Sequence, residues 1–275
     1  MLQQLPGRVT IENDVVFGTG GSRDLKCDIY HPPNEKEDRP GLLIIHGGAW
    51  RSGDRNQLRY YGIQLARFGF VGVACEYRLS GEAIWPAQIN DVKAALRWMR
   101  ANSKLLGIDE TKICVTGNSA GAHLALMLGG DTNEFEGSGG NPDVSSECAA
   151  ISAIYPPTSL SRTKDGEAYR FLFGDSASQE VAAKASPITY ANSSFPPTLL
   201  IHGNQDQVVN CNESFNMYHA LKKAGAQVEL HIFDGAPHAF DSLTDFARIC
   251  VQLITLYFDR KVLNPRPAVV PEATG

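Results

Sequence analysis

A mostly parallel β-sheet covered by helices on both faces is the fold class that this sequence predicts, and three observations predict it. Strand-like apolar runs alternate with helix-like runs along most of the chain. The strand-like runs are continuously apolar, the mark of strands buried on both sides. The composition, 43% hydrophobic and 20% charged over 275 residues, supplies apolar surface for one large core.

VTIENDVVF and LKCDIYH alternate weakly around a Gly-rich turn and predict an antiparallel hairpin at the sheet edge. GLLIIHG reads as the first core strand, QLRYYGIQLARFG as a helix and FVGVACEYR as the next strand. A long amphipathic stretch runs from Pro86 to Leu106, followed by the strand KICVTG, a helix after Ser119 and the strand AAISAIY. PTLLIHG then leads into the helix SFNMYHALKKAG, and VELHIFDG into FARICVQLITLYF. Residues 157–195 break this rhythm with Pro156-Pro157, the charged stretch SRTKDGE and the aromatics Tyr169, Phe171 and Phe173. They predict a small helical, lid-like insertion over the sheet. Residues 1–263 are expected to form a single domain, and residues 264–275, NPRPAVVPEATG, a loose Pro-rich tail.

The formal net charge is -5, the isoelectric point about 5.8, and no Lys/Arg run exceeds two residues. That charge pattern lacks the footprint of a nucleic-acid or anionic-membrane binder. The N-terminal MLQQLPGRVTIEND has no basic region followed by an apolar stretch, so neither a signal peptide nor a membrane span is expected, and the expected location is cytoplasmic. Cys27, Cys75, Cys114, Cys148, Cys211 and Cys250 are scattered without a C-x-x-C pair, which predicts reduced thiols rather than disulfides or a zinc site.

Gly117-Asn118-Ser119-Ala120-Gly121 falls at a strand-to-helix junction. Glycine in a first helical turn costs roughly 1 kcal/mol relative to alanine, so something must pass close to Gly121. A serine on so sharp a turn projects its hydroxyl into the crevice beyond the strand ends. Ser119 is therefore the candidate nucleophile. Its proton needs a base, and a histidine base needs a carboxylate to hold its tautomer. His238, in Gly235-Ala236-Pro237-His238, and Asp206, in Asn204-Gln205-Asp206, follow the last two strands and give the chain order Ser, Asp, His. His202, at a strand end, is an alternative base whose other reading is a buried, hydrogen-bonded residue. Asp234 is an alternative acid, but it leaves the same strand as His238, so topology favours Asp206. His46-Gly47-Gly48-Ala49-Trp50 ends the first core strand in a loop whose amides, with the Ala120 N–H, offer donors for an oxyanion. His46 itself reads as an anchor of that loop.

HGGAW, YRLS, WPAQINDV, GNSAGAHLA, ASPITY, HGNQD and APHAF together resemble the α/β-hydrolase superfamily over about residues 41–260, in particular its hormone-sensitive-lipase-like esterase branch. Within that branch the motifs are most similar to small esterases grouped with acetylxylan and feruloyl esterases, and HGG-x-W is also similar to kynurenine formamidases. The resemblance implies an α/β-hydrolase fold and a serine carboxylic-ester hydrolase with Ser119, Asp206 and His238 as its triad. It also implies that Gly48, Ala49 and Ala120 donate to the oxyanion. Two features depart from the branch. Ala49 and Ala122 stand at the last glycines of His-Gly-Gly-Gly and Gly-Asp-Ser-Ala-Gly-Gly, and Asn118 replaces the acidic residue beside the nucleophile. A negative φ at Ala49 is then the condition for its amide to keep its place.

Trp50, Tyr155 and Phe171 are the candidate substrate-contacting residues, Trp50 reading equally as packing beneath its loop. Arg78, beside Glu76, reads as one half of an ion pair, and Asp91 as a complement to its helix dipole. Tyr169, Phe171 and Phe173 are expected to narrow the crevice and favour acetyl to butyryl esters, including acetylated or feruloylated carbohydrate and aryl esters. An arylformamidase or other amide hydrolase is the second reading, and a non-catalytic ligand receptor the third. No metal or organic cofactor is expected; the partner is a small-molecule ester, and the protein is expected to be a monomer or a homodimer.

Overall fold

The computed structural model describes residues 3–130, 132–174 and 178–266, apart from the side chains of residues 162–165. Eight strands lie among them: β1 (Thr10–Gly20), β2 (Arg23–His31), β3 (Arg39–Ile45), β4 (Val71–Cys75), β5 (Ile108–Asn118), β6 (Ala150–Ile154), β7 (Thr198–Gly203) and β8 (Val228–Phe233). They form one sheet in the order β1-β2-β4-β3-β5-β6-β7-β8. β1 pairs with β2, and β2 with β4, antiparallel; every pair from β4 to β8 is parallel. The expected edge hairpin is present and joins the parallel body through β2.

β3 shows why the strands read as unbroken apolar runs. Leu43 and Ile45 enter the core under one face, and Leu42 and Ile44 the core under the other. Side chains alternate by geometry, so both phases must be apolar when both faces are covered. The helices α1 (Arg59–Arg67) and α8 (Thr244–Phe258) cover the second face through Leu65, Ile254 and Phe258. α2 (Ala87–Ala101), α4 (Ala120–Met127) and α7 (Asn212–Ala224) cover the first through Val92, Leu124 and Leu221. α4 is buried all round, as a central helix must be. The stretch from Pro86 to Leu106 divides at Asn102 into α2 and the single turn α3 (Ser103–Leu106), which Gly107 ends at φ 65.

The predicted insertion contains α5 (Arg162–Phe173), which bends at Gly166, α6 (Gln179–Lys184) and a 3₁₀ turn at Pro187–Tyr190. Leu172, Phe173 and Ala182 belong to the first-face core, and the Trp85 N–H donates to Leu172 O at 2.8 Å. It is a packed wall of the molecule. Tyr169 and Phe173 correct the expectation placed on them: four residues apart on α5, they share a face, lie 4.6 Å apart between ring centroids and turn into the core. Phe171, between them in sequence, faces the other way. At the first residues of the tail, Asn264 Nδ2–H and an Arg266 guanidinium N–H donate to Asp259 at 2.7 and 2.6 Å. Residues 267–275 lie outside the described residues. No helix among the described residues is long and apolar enough to cross a membrane.

Candidate active site

β5 ends at Asn118 and α4 begins at Ala120, leaving Ser119 on the turn at φ 51 and ψ -119. The flanking glycines are explained by what passes beside them. A Cβ on Gly121 would lie 2.1 Å from Ile45 O and 2.5 Å from His46 O, because the exit of β3 crosses the first turn of α4. One on Gly117 would lie 2.5 Å from Gly121 O. Ser119 is held in its strained conformation by its own N–H, which donates to Ile154 O on β6 at 2.9 Å.

His238, in the loop after β8, has Nε2 3.1 Å from Ser119 Oγ and Nδ1 2.7 Å from Asp206 Oδ2. Asp206, in the loop after β7, also accepts the Val208 and Val209 N–H groups at 2.9 and 2.8 Å. Burial by itself would raise its carboxyl, but hydrogen bonds from His202 and His238 and the Val209 amide outweigh that and hold it well below the usual carboxylate range. His202 is fully buried, with Nε2 3.2 Å from Asp206 Oδ2 and 2.9 Å from Val209 O. Both are acceptors, so Nε2 carries the proton, and Nδ1 accepts from Ser214 Oγ at 2.7 Å. His202 thus orients Asp206 from behind and does not reach Ser119. Asp234 is exposed and accepts from Asn204 Nδ2 at 2.8 Å, away from His238.

The loop after β3 lies opposite. His46 is buried, stacks on Tyr77 at 4.4 Å, and its carbonyl accepts the Tyr77 hydroxyl at 3.0 Å. Gly48, Ala49 and Trp50 take φ values of 111, 51 and 58. The expected negative φ at Ala49 is therefore not adopted: the loop coils left-handed so that the Arg51 and Ser52 amides close on Gly48 O at 3.1 and 3.0 Å. Gly48 has no alternative residue, since a Cβ there would sit 2.1 Å from Ser52 O. Gly48 and Ala49 line the crevice beside Ser119, and Ala120 is the first residue of α4, whose N–H has no intrahelical acceptor.

The crevice has a volume of about 810 Å³, and Ser119, His238, Tyr155 and Phe171 are among its lining residues. Trp50 is not. It is 3% exposed, and its Nε1–H donates to His123 Nδ1 at 3.2 Å under the loop, so of its two readings packing is the one adopted. His123 Nε2–H in turn donates to Ala185 O of the insertion at 2.7 Å, and burial lowers this imidazole to about 4. Arg78 sits in the ion pair expected of it, with Asp91 rather than Glu76 as its partner, and Asp91 is engaged by that pair rather than by its helix dipole. Asp91 Oδ1 and Oδ2 accept the Arg78 guanidinium at 2.7 and 2.8 Å, while Glu76 takes Arg23 at 2.6 Å.

Residues 27–221 match the BD-FAE family, an α/β-hydrolase esterase family. The chain belongs to the BD-FAE family. Esterase LipQ of Mycobacterium tuberculosis is 31% identical over 241 residues, 83% of this chain and 57% of LipQ. Isoprenylcysteine alpha-carbonyl methylesterase ICME of Arabidopsis thaliana is 28% identical over 83% of this chain and 56% of its own. The chain thus spans a little over half the length of these curated relatives. Among solved structures, esterase Est2 of Thermogutta terrifontis with butyrate bound superposes with a TM-score of 0.83 at 28% identity, covering 95% of this chain and 97% of that one. A truncated carbohydrate esterase from gut microbiota superposes at 0.77, with 28% identity over 91% of this chain and 100% of that one.

Asn118, Tyr61 and Asp241 are among the further residues of this BD-FAE chain that line the crevice. Asn118 was noted in the sequence only as a departure. Asp241 follows His238 by three residues, but nothing in PHAFDS marks it as buried.

Proposed function

We propose that this protein is a serine carboxylic-ester hydrolase acting on short acyl esters through Ser119, His238 and Asp206. The observation that carries the reading is the His238 imidazole, bonded on one side to Asp206 and on the other to Ser119 inside the crevice. With Nδ1–H given to Asp206, the Nε2 lone pair points at Ser119 Oγ, the tautomer a general base requires. His238 takes the Ser119 proton as Oγ attacks the ester carbonyl carbon. It returns that proton to the alcohol oxygen when the C–O bond breaks, and water releases the acyl group by the same route. Gly48, Ala49 and Ala120 amides donate to the tetrahedral oxyanion, each worth about 3 kcal/mol of barrier; the positive φ of Ala49 turns the bond that follows its N–H and so does not by itself swing that amide away.

Short acyl groups suit walls made by Tyr155 and Phe171, and the related Thermogutta terrifontis esterase has been solved with butyrate and with propionate bound. Alcohols of carbohydrate or aryl type are proposed on the open side, in keeping with the carbohydrate esterase relative. Ser119→Ala is expected to lower kcat by roughly 10⁵-fold with the fold intact, and a fluorophosphonate is expected to label Ser119 alone. p-Nitrophenyl esters from two to twelve carbons are expected to peak at acetyl to butyryl. A dodecanoyl optimum overturns the short-chain reading, and faster cleavage of N-formylkynurenine than of an aryl acetate assigns the activity to an arylformamidase instead.

A further inference from the structure

A second buried chain of hydrogen bonds runs beside the triad. Asn118, directly before the nucleophile, donates its Nδ2–H to Tyr155 Oη at 2.9 Å. The Tyr155 hydroxyl donates to Asp241 Oδ1, and the Tyr61 hydroxyl to Asp241 Oδ2 at 3.1 Å. Asn118, Tyr155 and Asp241 are 5%, 1% and 7% exposed. The chain therefore joins the residue before Ser119 to the loop that carries His238 while using neither hydrogen bond of the triad. The Tyr155 ring also lies against the His238 ring, their centroids 4.6 Å apart. Tyr155 is itself fixed at φ 43, with its N–H donating to Ile201 O at 2.7 Å.

The polarity of this chain is set by proton count. A phenol has one proton; with a carboxylate on one side, that proton goes to the carboxylate, and the partner on the other side must be a donor. An amide supplies one and a second carboxylate does not. Asparagine at position 118 is thus the complement of aspartate at position 241, which accounts for the departure from an acidic residue beside the nucleophile.

We propose that Asp241 is a positioning residue: through Tyr155 it locks the His238 loop to the nucleophile elbow, and Asn118 is the donor that this lock requires. The proposal rests on the Ser119 reading above. Displacing a reacting group by a fraction of an ångström to 1 Å costs roughly 10- to 100-fold in turnover. Asp241→Asn leaves one acceptor oxygen for the two hydroxyls of Tyr155 and Tyr61, and Asn118→Asp puts two carboxylates around one phenol; each is expected to lower kcat on p-nitrophenyl acetate by that factor, with KM within about two-fold. The double variant Asn118→Asp/Asp241→Asn reverses the polarity but restores one donor and one acceptor, and it is expected to recover kcat to within about three-fold of the parent. Tyr155→Phe keeps the ring on His238 and cuts both bonds, so it is expected to lose as much as Asp241→Asn even where the double variant does not fold. A parental kcat in Asp241→Asn or Tyr155→Phe, or a folded double variant no faster than the slower single, overturns the lock; lowered melting temperatures with unchanged kcat also overturn it. Ser119→Ala measured alongside separates the two claims, because activity in that variant defeats the Ser119 reading, whereas an inert Ser119→Ala with a fully active Asp241→Asn defeats the lock alone.

Discussion

The nucleophile elbow and the insertion between β6 and β7 border the same crevice and are built by opposite rules. At the elbow, backbone passes backbone: Gly121 has room for no Cβ at all, and Ser119 sits in a left-handed conformation held by a strand carbonyl. In the insertion, side chains fill space, with Phe173 and Leu172 in the core, while a Cβ on Gly166 meets nothing within 4 Å. On the proposed mechanism the elbow fixes where bonds are made and broken, and the insertion what fits beside them.

Substituting a glycine in each region separates the two rules most sharply. Gly121→Ala drives a methyl into the Ile45 and His46 carbonyls, neither of which is the end of a flexible side chain. It is expected to cost roughly 3 kcal/mol or more, seen as a melting temperature lower by at least about 6 °C, and to abolish esterase activity. Gly166→Ala, with φ 50 but open space around its Cβ, is expected to cost about 1–2 kcal/mol of backbone strain and to leave activity in place. Equal losses in both variants would remove the distinction.

His123 joins the two regions, carried by α4 and bonded to Trp50 on one side and Ala185 on the other. Burial lowers it from 6.5 to about 4, so the folded protein keeps it neutral. Above pH 6.5 neither the folded nor the unfolded state binds the proton, and the contribution to stability is complete. Between pH 6.5 and 4 the unfolded chain takes the proton first, so stability falls as the pH falls, by up to about 3 kcal/mol. Asp206, a carboxylate held low, adds its own loss only at more acid pH. His123→Gln offers an acceptor to Trp50 and a donor to Ala185 without titrating. Urea denaturation at pH 7 and pH 5 is therefore expected to show a smaller drop in the variant than in the parent, and an equal drop would mean that His123 is not the source.

The same contrast governs how much was legible in the sequence. Unbroken apolar runs gave the parallel sheet, and the elbow announced itself because backbone passing close to positions 117 and 121 leaves a glycine at each, a mark visible in the sequence even where the passing strand is distant. Chain order and strand ends point to Asp206 and His238, and His238 bonds to both Asp206 and Ser119. What escaped depends on partners distant in sequence. Trp50 faces His123 across 73 positions, and Asp241 meets Tyr155 across 86; no local pattern encodes either. Arg78 stood beside Glu76 in the chain but chose Asp91, thirteen residues on, because the start of α2 returns over the end of β4. On α5 the spacing itself carries the answer: residues 169 and 173 share a helical face and residue 171 cannot, so only one of the three aromatics is free to reach the crevice.

Phe171 supplies the smallest effect and the clearest reading of the insertion's role. Its ring is half-buried at the crevice wall, with the Arg51 guanidinium 4.2 Å from its centroid. Phe171→Ala removes a wall without opening the core, and losing the cation over its half-buried ring costs only about 0.5–1 kcal/mol, so the melting temperature is expected to fall by no more than about 4 °C. Specificity is where the loss registers. Each methylene that newly fits adds about 0.8 kcal/mol, close to four-fold in kcat/KM, so admitting two more carbons is expected to raise the hexanoyl-to-acetyl ratio on the order of ten-fold. Turnover of the acetyl ester itself is expected to stay within about three-fold, because the triad and the loop after β3 do not depend on this ring. An unchanged ratio in p-nitrophenyl hexanoate against acetate would show that the acyl group lies elsewhere in the crevice, whose lining also includes Tyr60 and Leu58, and that the insertion shapes the alcohol side instead.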